Sequence, residues 1–284
     1  MDLGLDNKVI VITGGGLGIG FAISLACARE GAIPVIVNRD EPAVRQNLKL
    51  LEEERRPFEF VEAWLDSPEI CRVVVDEIRA RRDGVDGLVN NIGVNDGVGL
   101  ETGTPAAFMQ SLQNNLWHSF SMAHYLLPSL KERRGSIVNI GSKVACTGQG
   151  GTSGYAAAKG AQLALTREWA VDLLPYGIRV NAVVPSEVWT PAYQQWISRS
   201  ADPERERQEI SHNIPLGQRM TTPEEIASTV VFLLSDRASH TTGQFLFVDG
   251  GYVHLDRVVN QRRPASISDA DADADIDADT NIQA

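Results

Sequence analysis

Tyr155 and Lys159 lie four positions apart in the sequence and are separated by three alanines. Residues four apart share one face of a helix, so the phenol and the ammonium are predicted to point into the same space. A free tyrosine has a pKa of about 10 and is a poor acid or base at neutral pH. A neighbouring ammonium in a partly dry cleft is expected to lower that pKa. The pair is therefore predicted to exchange a proton with an alcohol or a carbonyl near neutral pH.

Ser142 lies upstream of this pair, just after the apolar run of residues 137–140. Its hydroxyl is expected to hold a substrate oxygen beside the phenol. A Tyr-x-x-x-Lys pattern alone also arises by chance on amphipathic helices, because the pattern is short. The interpretation therefore depends on a second motif near the N-terminus.

That second motif is a glycine-rich segment between a strand and a helix. Residues 9–13 form a β-branched run that predicts a buried parallel strand, and a helix-like stretch extends to about Arg29. Glycines between them let the backbone turn tightly and approach a phosphate, and the helix N-terminus offers free N–H groups. An isolated run of this kind is often only a flexible loop, but its position here favours dinucleotide binding. The residues predicted to bind the cofactor in this segment are Gly14, Gly16, Leu17, Gly18, Ile19 and Gly20.

The second predicted strand, residues 33–37, is followed by Asn38 and Arg39. An acidic residue at this point would accept hydrogen bonds from the adenosine ribose and repel a 2′-phosphate. Asn38 is neutral, and the planar guanidinium of Arg39 suits a phosphate. The pattern therefore predicts NADP, with NAD possible, although Arg39 also fits a solvated loop charge. Asp66, after the third predicted strand, is expected to receive the adenine edge.

The remaining chain continues the alternation of strands and helices. Five further strands are predicted at residues 60–65, 87–90, 136–140, 179–184 and 245–248. This order predicts an α/β fold, a single doubly wound Rossmann-type domain with a seven-stranded parallel sheet, over residues 1–260. Ligands of such sheets bind at the carboxyl ends of the strands, where Asn91, Ser142 and Pro185 lie. Residues 186–220 are expected to form a lid.

Composition excludes several classes of protein. The net charge is −11, and six aspartates between residues 269 and 279 account for six of it, which leaves the body near −5 with no basic stripe for nucleic acid. Residues 261–284 predict an acidic, disordered tail. No signal peptide or apolar run of about 20 residues is apparent, and the three cysteines have no metal-like spacing. We therefore expect a soluble cytoplasmic protein with no membrane segment and no metal site.

Taken together, the motifs resemble those of the short-chain dehydrogenase/reductase family over roughly residues 6–255. The matching positions are Thr13, Gly14, Gly18, Gly20, Asn90, Asn91, Ile92, Gly93, Asn115, Leu116, Ser142, Tyr155, Lys159, Arg179, Val180, Asn181, Asp249, Gly250 and Gly251. Ile92 and three other positions, Gly141, Ala158 and Ser186, depart from the common pattern. None of the four removes a catalytic group, but Ser186 is expected to affect the loop before Thr190.

The resemblance implies a catalytic tetrad. Tyr155 would be the acid/base, and Lys159 would lower its pKa and bind the nicotinamide ribose. Ser142 would orient the substrate oxygen, and Asn115 would hold a water that relays protons to Lys159. Further NAD(P) contacts are implied at Asn91, Gly93, Pro185, Val188 and Thr190. The resemblance also implies a homotetramer assembled through the helices that contain Asn115 and Tyr155.

Substrate specificity is expected in the lid and in the loops at residues 94–104 and 143–154. The predicted substrate-binding residues are Asn95, Gln149, Glu187 and Trp196, and the further candidates for the pocket are Asp96, Trp189 and Tyr193. Polar acceptors beside flat aromatic rings suit a polyhydroxylated ring, although Trp196 also fits simple packing of the lid. The sequence around Glu187 resembles that of family members that oxidise free sugars, L-fucose dehydrogenases in particular. We therefore expect oxidation of a secondary or hemiacetal alcohol, with L-fucose converted to its lactone.

Two other functions remain open. A carbonyl reductase of the 3-oxoacyl type would run the hydride in the opposite direction. A non-catalytic nucleotide-sensing regulator would use the same fold without chemistry, but such proteins often lose the tyrosine or the lysine.

Overall fold

The computed structural model describes residues 2–256, and seven parallel strands form its single sheet. The strands are β1 (Val9–Thr13), β2 (Ile33–Asn38), β3 (Glu59–Glu62), β4 (Gly87–Asn90), β5 (Ser136–Ile140), β6 (Arg179–Pro185) and β7 (Phe245–Val248). Their order is β3-β2-β1-β4-β5-β6-β7, and every neighbouring pair is parallel. The predicted sheet is confirmed. Because strand order reverses between β1 and β4, a crevice opens at their carboxyl ends. The predicted acidic tail lies outside the described residues.

Helices cover both faces of this sheet. They are α1 (Gly18–Arg29), α2 (Pro42–Glu53), α3 (Pro68–Arg81), α4 (Pro105–Leu112), α5 (His118–Arg133), α6 (Ser153–Leu173), α7 (Pro191–Ile197), α8 (Pro203–His212) and α9 (Pro223–Leu234). Alternate residues of β1 point to opposite faces, as its pleat requires. Ile10 and Ile12 pack with α1 and α9, whereas Val9 and Val11 pack with α3, α5 and α6. Each face therefore has its own apolar core.

Local sequence explains where most helices begin. Five of them start at a proline that follows a side-chain cap, which satisfies a free backbone N–H and fixes the first φ angle. The capping residues are Ser67, Thr104, Thr190, Asp202 and Thr222. Thr222 and Glu225 form a full capping box at the start of α9. Helix α1 differs, because Leu17 at its N-cap provides no side-chain hydrogen bond.

Two elements differ from the sequence prediction. Strand β3 ends at Glu62 rather than at residue 65, because its only partner, β2, ends opposite it at Asn38. The chain then turns, and the amide of Asp66 donates to the carbonyl of Trp64 at 2.9 Å. The helical region around Asn115 is continuous over residues 105–133, but it contains a π-helical turn, Gln113–Trp117, between α4 and α5.

The lid region contains two short helices, α7 and α8, and joins the body through a bridge between Val188 and Thr221. Across residues 2–256, no helix combines the length and apolar character that crossing a membrane requires.

Candidate active site

A cavity of about 560 Å³ lies along the carboxyl ends of the strands. It is bordered by sixteen of the residues that the sequence predicts for cofactor binding or catalysis: Gly14, Leu17, Gly18, Ile19, Gly20, Asn38, Arg39, Asp66, Asn91, Gly93, Ser142, Tyr155, Lys159, Pro185, Val188 and Thr190. They come from the ends of six strands, the start of α1 and the first turns of α6. Residues that are up to 176 positions apart in the chain therefore line one cleft.

The glycine loop has the shape that a pyrophosphate requires. Gly14 and Gly18 adopt positive φ angles of 65° and 52°, which other residues rarely do. A Cβ atom on Gly20 would lie 2.1 Å from the carbonyl oxygen of Gly14, so the helix and the loop touch there. The first N–H groups of α1 have no side-chain cap and no acidic neighbour in the first turn. The loop thus presents donors and a positive dipole to an anion.

Gly16 does not border this cavity, unlike its predicted neighbours. Its N–H donates to the Asn38 side-chain oxygen at 3.2 Å. A Cβ atom at Gly16 would lie 2.7 Å from Val44, so its small size serves packing behind the loop. Its predicted contact with the cofactor stays a prediction.

Hydrogen bonds from Asn91 connect the end of β4 to the glycine loop after β1. Its side-chain amide donates to the carbonyls of Thr13 at 3.0 Å and Gly14 at 3.2 Å. The Thr13 hydroxyl accepts from the Asn91 backbone at 3.0 Å and donates to the Val89 carbonyl at 3.2 Å. These bonds hold the ends of β1 and β4 together, and this fixes the mouth of the crevice.

The adenosine end of the cleft contains a residue that sequence reasoning missed. Trp64 borders the cavity beside Asp66, and its ring lies 4.2 Å from the guanidinium carbon of Arg39. Arg39 also pairs with Glu41 at 2.8 Å and remains more than half exposed. Asn38 donates to the Arg39 carbonyl at 3.1 Å. The sequence placed Trp64 inside the strand predicted at residues 60–65, and the available signal was an aromatic residue two positions before the predicted ligand Asp66.

Tyr155, Lys159 and Ser142 meet at the other end. Tyr155 stands in the first turn of α6, with Lys159 one turn later, and the Lys159 Nζ lies 5.8 Å from the centre of the phenol ring. The ammonium donates to the Ile140 carbonyl at 2.7 Å and to the Gln162 side-chain oxygen at 2.9 Å. The three predicted groups are therefore together, as expected.

In the cofactor-free chain, burial acts against the expected acidity of the phenol. Burial raises the pKa of Tyr155 to about 12, although part of its ring faces the cleft, and a hydrogen bond with Ser142 offsets only some of that rise. Burial also lowers the pKa of Lys159 to about 7. Its ammonium also points to Ile140 and Gln162 rather than at the phenol oxygen.

Asn115 is fully buried in the π-helical turn and does not border the cavity. Its side-chain oxygen accepts from the Val94 N–H at 2.7 Å, and its amide donates to the Ser111 carbonyl at 2.9 Å. Both side-chain groups are thus occupied in shaping the loop after β4. A π-turn is common at functional sites, but nothing in the residue pattern predicts one here. The water-holding role that the resemblance implies stays a prediction.

None of the four predicted substrate residues borders this cavity within residues 2–256. Asn95 and Gln149 are exposed on loops, and Trp196 packs edge-on against Tyr193 at 5.3 Å between ring centres. Glu187 is engaged by Lys143 in an ion pair and accepts from the Tyr193 hydroxyl at 2.8 Å. Tyr193, which the sequence also offers as a pocket residue, lines the cavity. The assignment of the substrate site to these loops stays a prediction.

His118 is a second cleft residue that the sequence analysis missed. Its side chain is only 2% exposed and borders the cavity. Burial, and then the charge of Lys159, lower its pKa from 6.5 to about 4. Because the folded protein binds this proton more weakly than the unfolded chain, the neutral form stabilises the fold above about pH 6.5. That contribution is lost as the pH falls toward 4.

We therefore expect acid to destabilise the protein through His118. Between pH 6.5 and 4 the free energy of unfolding should fall by up to about 3 kcal/mol from this group alone. Denaturant unfolding at a series of pH values measures the slope. A His118→Gln variant should flatten the curve over this interval, whereas His240→Gln, at an exposed histidine, should leave it unchanged. Equal slopes in wild type and His118→Gln would contradict the assignment.

Comparison with known proteins identifies the family of this chain. The family model described as enoyl-(acyl carrier protein) reductase matches residues 15–253. The chain belongs to the short-chain dehydrogenase/reductase family. Its relatives include L-fucose dehydrogenase of Oryctolagus cuniculus, which is 37% identical over 86% of this chain and 84% of that protein. Another is 3-oxoacyl-(acyl-carrier-protein) reductase of Thermotoga maritima, 34% identical over 88% of this chain and 99% of that protein.

The fold of this chain is also similar to the folds of solved dehydrogenase and reductase structures. The crystal structure of Cj0485 dehydrogenase is 46% identical, with a TM-score of 0.87, over 92% of this chain and 100% of that one. L-sorbose reductase from Gluconobacter frateurii, complexed with NADPH and L-sorbose, is 28% identical, with a TM-score of 0.84, over 90% of this chain and all (100%) of that one. The chain is therefore an oxidoreductase that acts on CH–OH groups, and the family's cofactor is NAD(P). The glycine loop and the open cleft fit that cofactor.

Proposed function

We propose that this short-chain dehydrogenase oxidises a free sugar of the L-fucose type at its hemiacetal carbon, giving the lactone. The observation that carries the proposal is the 37% identity to an L-fucose dehydrogenase over most of both chains, together with a complete Ser142, Tyr155 and Lys159 set in one cleft. L-sorbose reductase, a neighbour in structure, was solved with a sugar. A hydroxylated substrate also suits the polar groups around the cleft.

Each residue at the catalytic end of the cleft has a separate role in the proposed reaction. When bound, the nicotinamide supplies the hydride acceptor. Ser142 holds the anomeric oxygen by a hydrogen bond, and Tyr155 takes the hydroxyl proton as the C1–H bond breaks. Lys159 holds positive charge near the phenol, which favours the phenolate. Burial raises the pKa of Tyr155 in the cofactor-free chain, so the charge of Lys159 acts against the effect of burial.

The wall beside the phenol supports a hydroxylated substrate. Lys143 follows Ser142 directly, and its buried ammonium pairs with Glu187 at the start of the lid. Tyr193, on α7, lines the cavity and donates to the same carboxylate. Of these three residues only Tyr193 borders the cavity, and a phenol hydroxyl can donate to or accept from a sugar hydroxyl. We propose Tyr193 as the polar contact for the substrate, with the Lys143–Glu187 ion pair holding its hydroxyl in place.

A spectrophotometric screen of free aldoses against NADP and NAD tests the proposed reaction. L-fucose or a close stereochemical relative should reduce the cofactor, and the product should be a lactone by mass spectrometry. The absence of reduction with every sugar would refute the sugar assignment while leaving the family unaffected.

A 3-oxoacyl reductase is the second candidate, because the Thermotoga maritima relative is 34% identical and nearly all (99%) of its length is covered. That reaction would consume NADPH with an acetoacetyl thioester. A carrier-bound substrate also needs a basic docking patch, and the chain is acidic overall, at −11. Activity on the thioester together with inactivity on sugars would favour this candidate.

We further propose that NADP is preferred over NAD. Arg39 borders the cavity at the adenosine end, where its guanidinium can bind a 2′-phosphate. Arg39→Ala should weaken NADPH binding about tenfold while NADH binding changes little. Fluorescence titration of each cofactor measures both constants. Arg45→Ala is the matched control, since Arg45 pairs with the neighbouring Asp40 and is not a cavity residue. Equal losses for NADPH and NADH in Arg39→Ala would contradict the preference.

We also propose one catalytic domain over residues 1–260 and a cytoplasmic homotetramer that pairs α5 and α6. On these helices Phe120 is 54% exposed and Val171 is 66% exposed, as an apolar interface requires. The three cysteines are free thiols, which suits a reducing compartment. Sedimentation analysis tests the assembly, and a monomer at micromolar concentration would refute it.

A further inference from the structure

A line of buried polar groups runs from the catalytic lysine to His118. Lys159 Nζ lies 2.9 Å from the Gln162 side-chain oxygen, and the Gln162 amide nitrogen lies 2.9 Å from the Ser119 hydroxyl. That hydroxyl lies 3.3 Å from His118 Nδ1. All four residues are buried, with exposures of 0 to 2%. The line joins two helices, because Lys159 and Gln162 belong to α6 and the others to α5.

The first two hydrogen bonds in this line run from Lys159 to Gln162 and from Gln162 to Ser119. An ammonium only donates, so Gln162 must present its oxygen to Lys159 and its nitrogen to Ser119. Ser119 accepts that bond, and the direction of its contact with His118 Nδ1 depends on the tautomer of the histidine. Burial and the charge of Lys159 lower the pKa of His118 to about 4, so its ring is neutral near pH 7. Among the described residues, His118 Nε2 has no hydrogen-bond partner, and His118 borders the cavity.

We infer that Gln162, held by Ser119 and His118, is a positioning residue that fixes the Lys159 ammonium for the reaction. An ammonium has three donors, and the Ile140 carbonyl and Gln162 take two of them. The third is left for the cleft. Gln162 and the Ile140 carbonyl thus provide the acceptors that compensate the buried charge. The inference rests on the proposed role of Lys159, but it concerns this lysine and not the substrate.

Few titratable side chains lie near Lys159. Tyr155 faces it from α6 and His118 from α5, while β5 contributes only the Ile140 carbonyl. The loop after β4 contributes Gly93, where a Cβ atom would lie 3.0 Å from the ammonium. Within residues 2–256, these contacts leave Gln162 as the one side chain that accepts a hydrogen bond from Lys159. Its removal should therefore change the titration of the lysine directly.

The test is a titration of Lys159 in the cofactor-free protein. The chain has five lysines, so NMR of ¹³Cε-labelled lysine gives a simple spectrum, and the Lys159 signal is the one missing from Lys159→Met. In wild type its midpoint should lie near 7. In Gln162→Leu it should fall by about one pH unit, and kcat/KM at neutral pH should fall about tenfold. Ser119→Ala should give a smaller shift in the same direction, because Gln162 remains but is less firmly held.

Thr166→Val is the matched control. Thr166 is equally buried one turn further along α6, and its hydroxyl bonds the Gln162 backbone carbonyl and Asn139 rather than Lys159. It should lose stability without moving the lysine midpoint. An unchanged Lys159 midpoint in a folded Gln162→Leu protein would overturn the inference. If Gln162→Leu does not fold, Ser119→Ala provides the test, and an unchanged Lys159 midpoint in that protein would overturn the inference. Because the NMR readout needs no substrate, a failed sugar screen would not affect it.

Discussion

Replacing Tyr155 with phenylalanine is expected to lower kcat by about 10³-fold while cofactor affinity stays within about twofold. The change removes one oxygen atom, the group that takes the substrate proton, and keeps the ring that borders the cleft. The Ser142 hydroxyl, which hydrogen bonds the phenol, would remain to hold the substrate oxygen. Initial rates with the best sugar, and NADPH fluorescence titration, give the two quantities.

Tyr176→Phe is a suitable control for this substitution. Tyr176 follows α6, is 42% exposed, and contacts Lys131 through the face of its ring, which phenylalanine keeps. Its turnover should equal that of wild type. If Tyr155→Phe retained more than about a tenth of the wild-type kcat, another group would have to be the base.

The second large effect is expected from Gly20→Ala. The new methyl group would lie 2.1 Å from the Gly14 carbonyl oxygen, which is backbone and cannot swing aside, and 2.6 Å from the Asn91 amide. Either α1 or the glycine loop must move, and both carry the donors meant for the pyrophosphate. We expect NADPH affinity to fall by about a hundredfold, equivalent to roughly 3 kcal/mol. Fluorescence titration measures the loss, and a melting curve shows whether the fold survives.

Gly160→Ala is the matched control, because that position has open space around it. In the interior of α6, alanine should stabilise the helix by about 0.5 to 1 kcal/mol and leave cofactor binding unchanged. Wild-type NADPH affinity in Gly20→Ala would show that the loop does not bind the cofactor.

The sheet could be predicted from sequence because each strand is a short apolar run closed by a glycine, a proline or a polar residue. Thr13, Asn90 and Ser142 mark such ends, and parallel strands bring their carboxyl ends to one edge. The convergence of the glycine loop with Tyr155 followed from this rule without any knowledge of the strand order.

Features that depend on contacts between distant segments could not be predicted. Strand β3 stops where β2 stops pairing, and the apolar residues beyond Glu62 give no sign of it. The pairing of Glu187 with Lys143 joins positions 44 apart, so Glu187 reads as a free acceptor in the sequence. The pKa of Lys159 depends on burial, which the Tyr-x-x-x-Lys spacing does not encode. Single residues such as His118 and Trp64 usually have a structural role, so the sequence alone does not mark them as residues of the cleft.

A crystal structure with bound NADP is the most direct test of the central claim, that Tyr155 and Lys159 act on a carbon next to the nicotinamide. We predict that the Tyr155 hydroxyl will lie within about 4 Å of the substrate-facing side of the nicotinamide ring, and that Lys159 will donate to its ribose. A dinucleotide bound elsewhere, or a ring turned away from Tyr155 with Lys159 directed only into the protein, would contradict it.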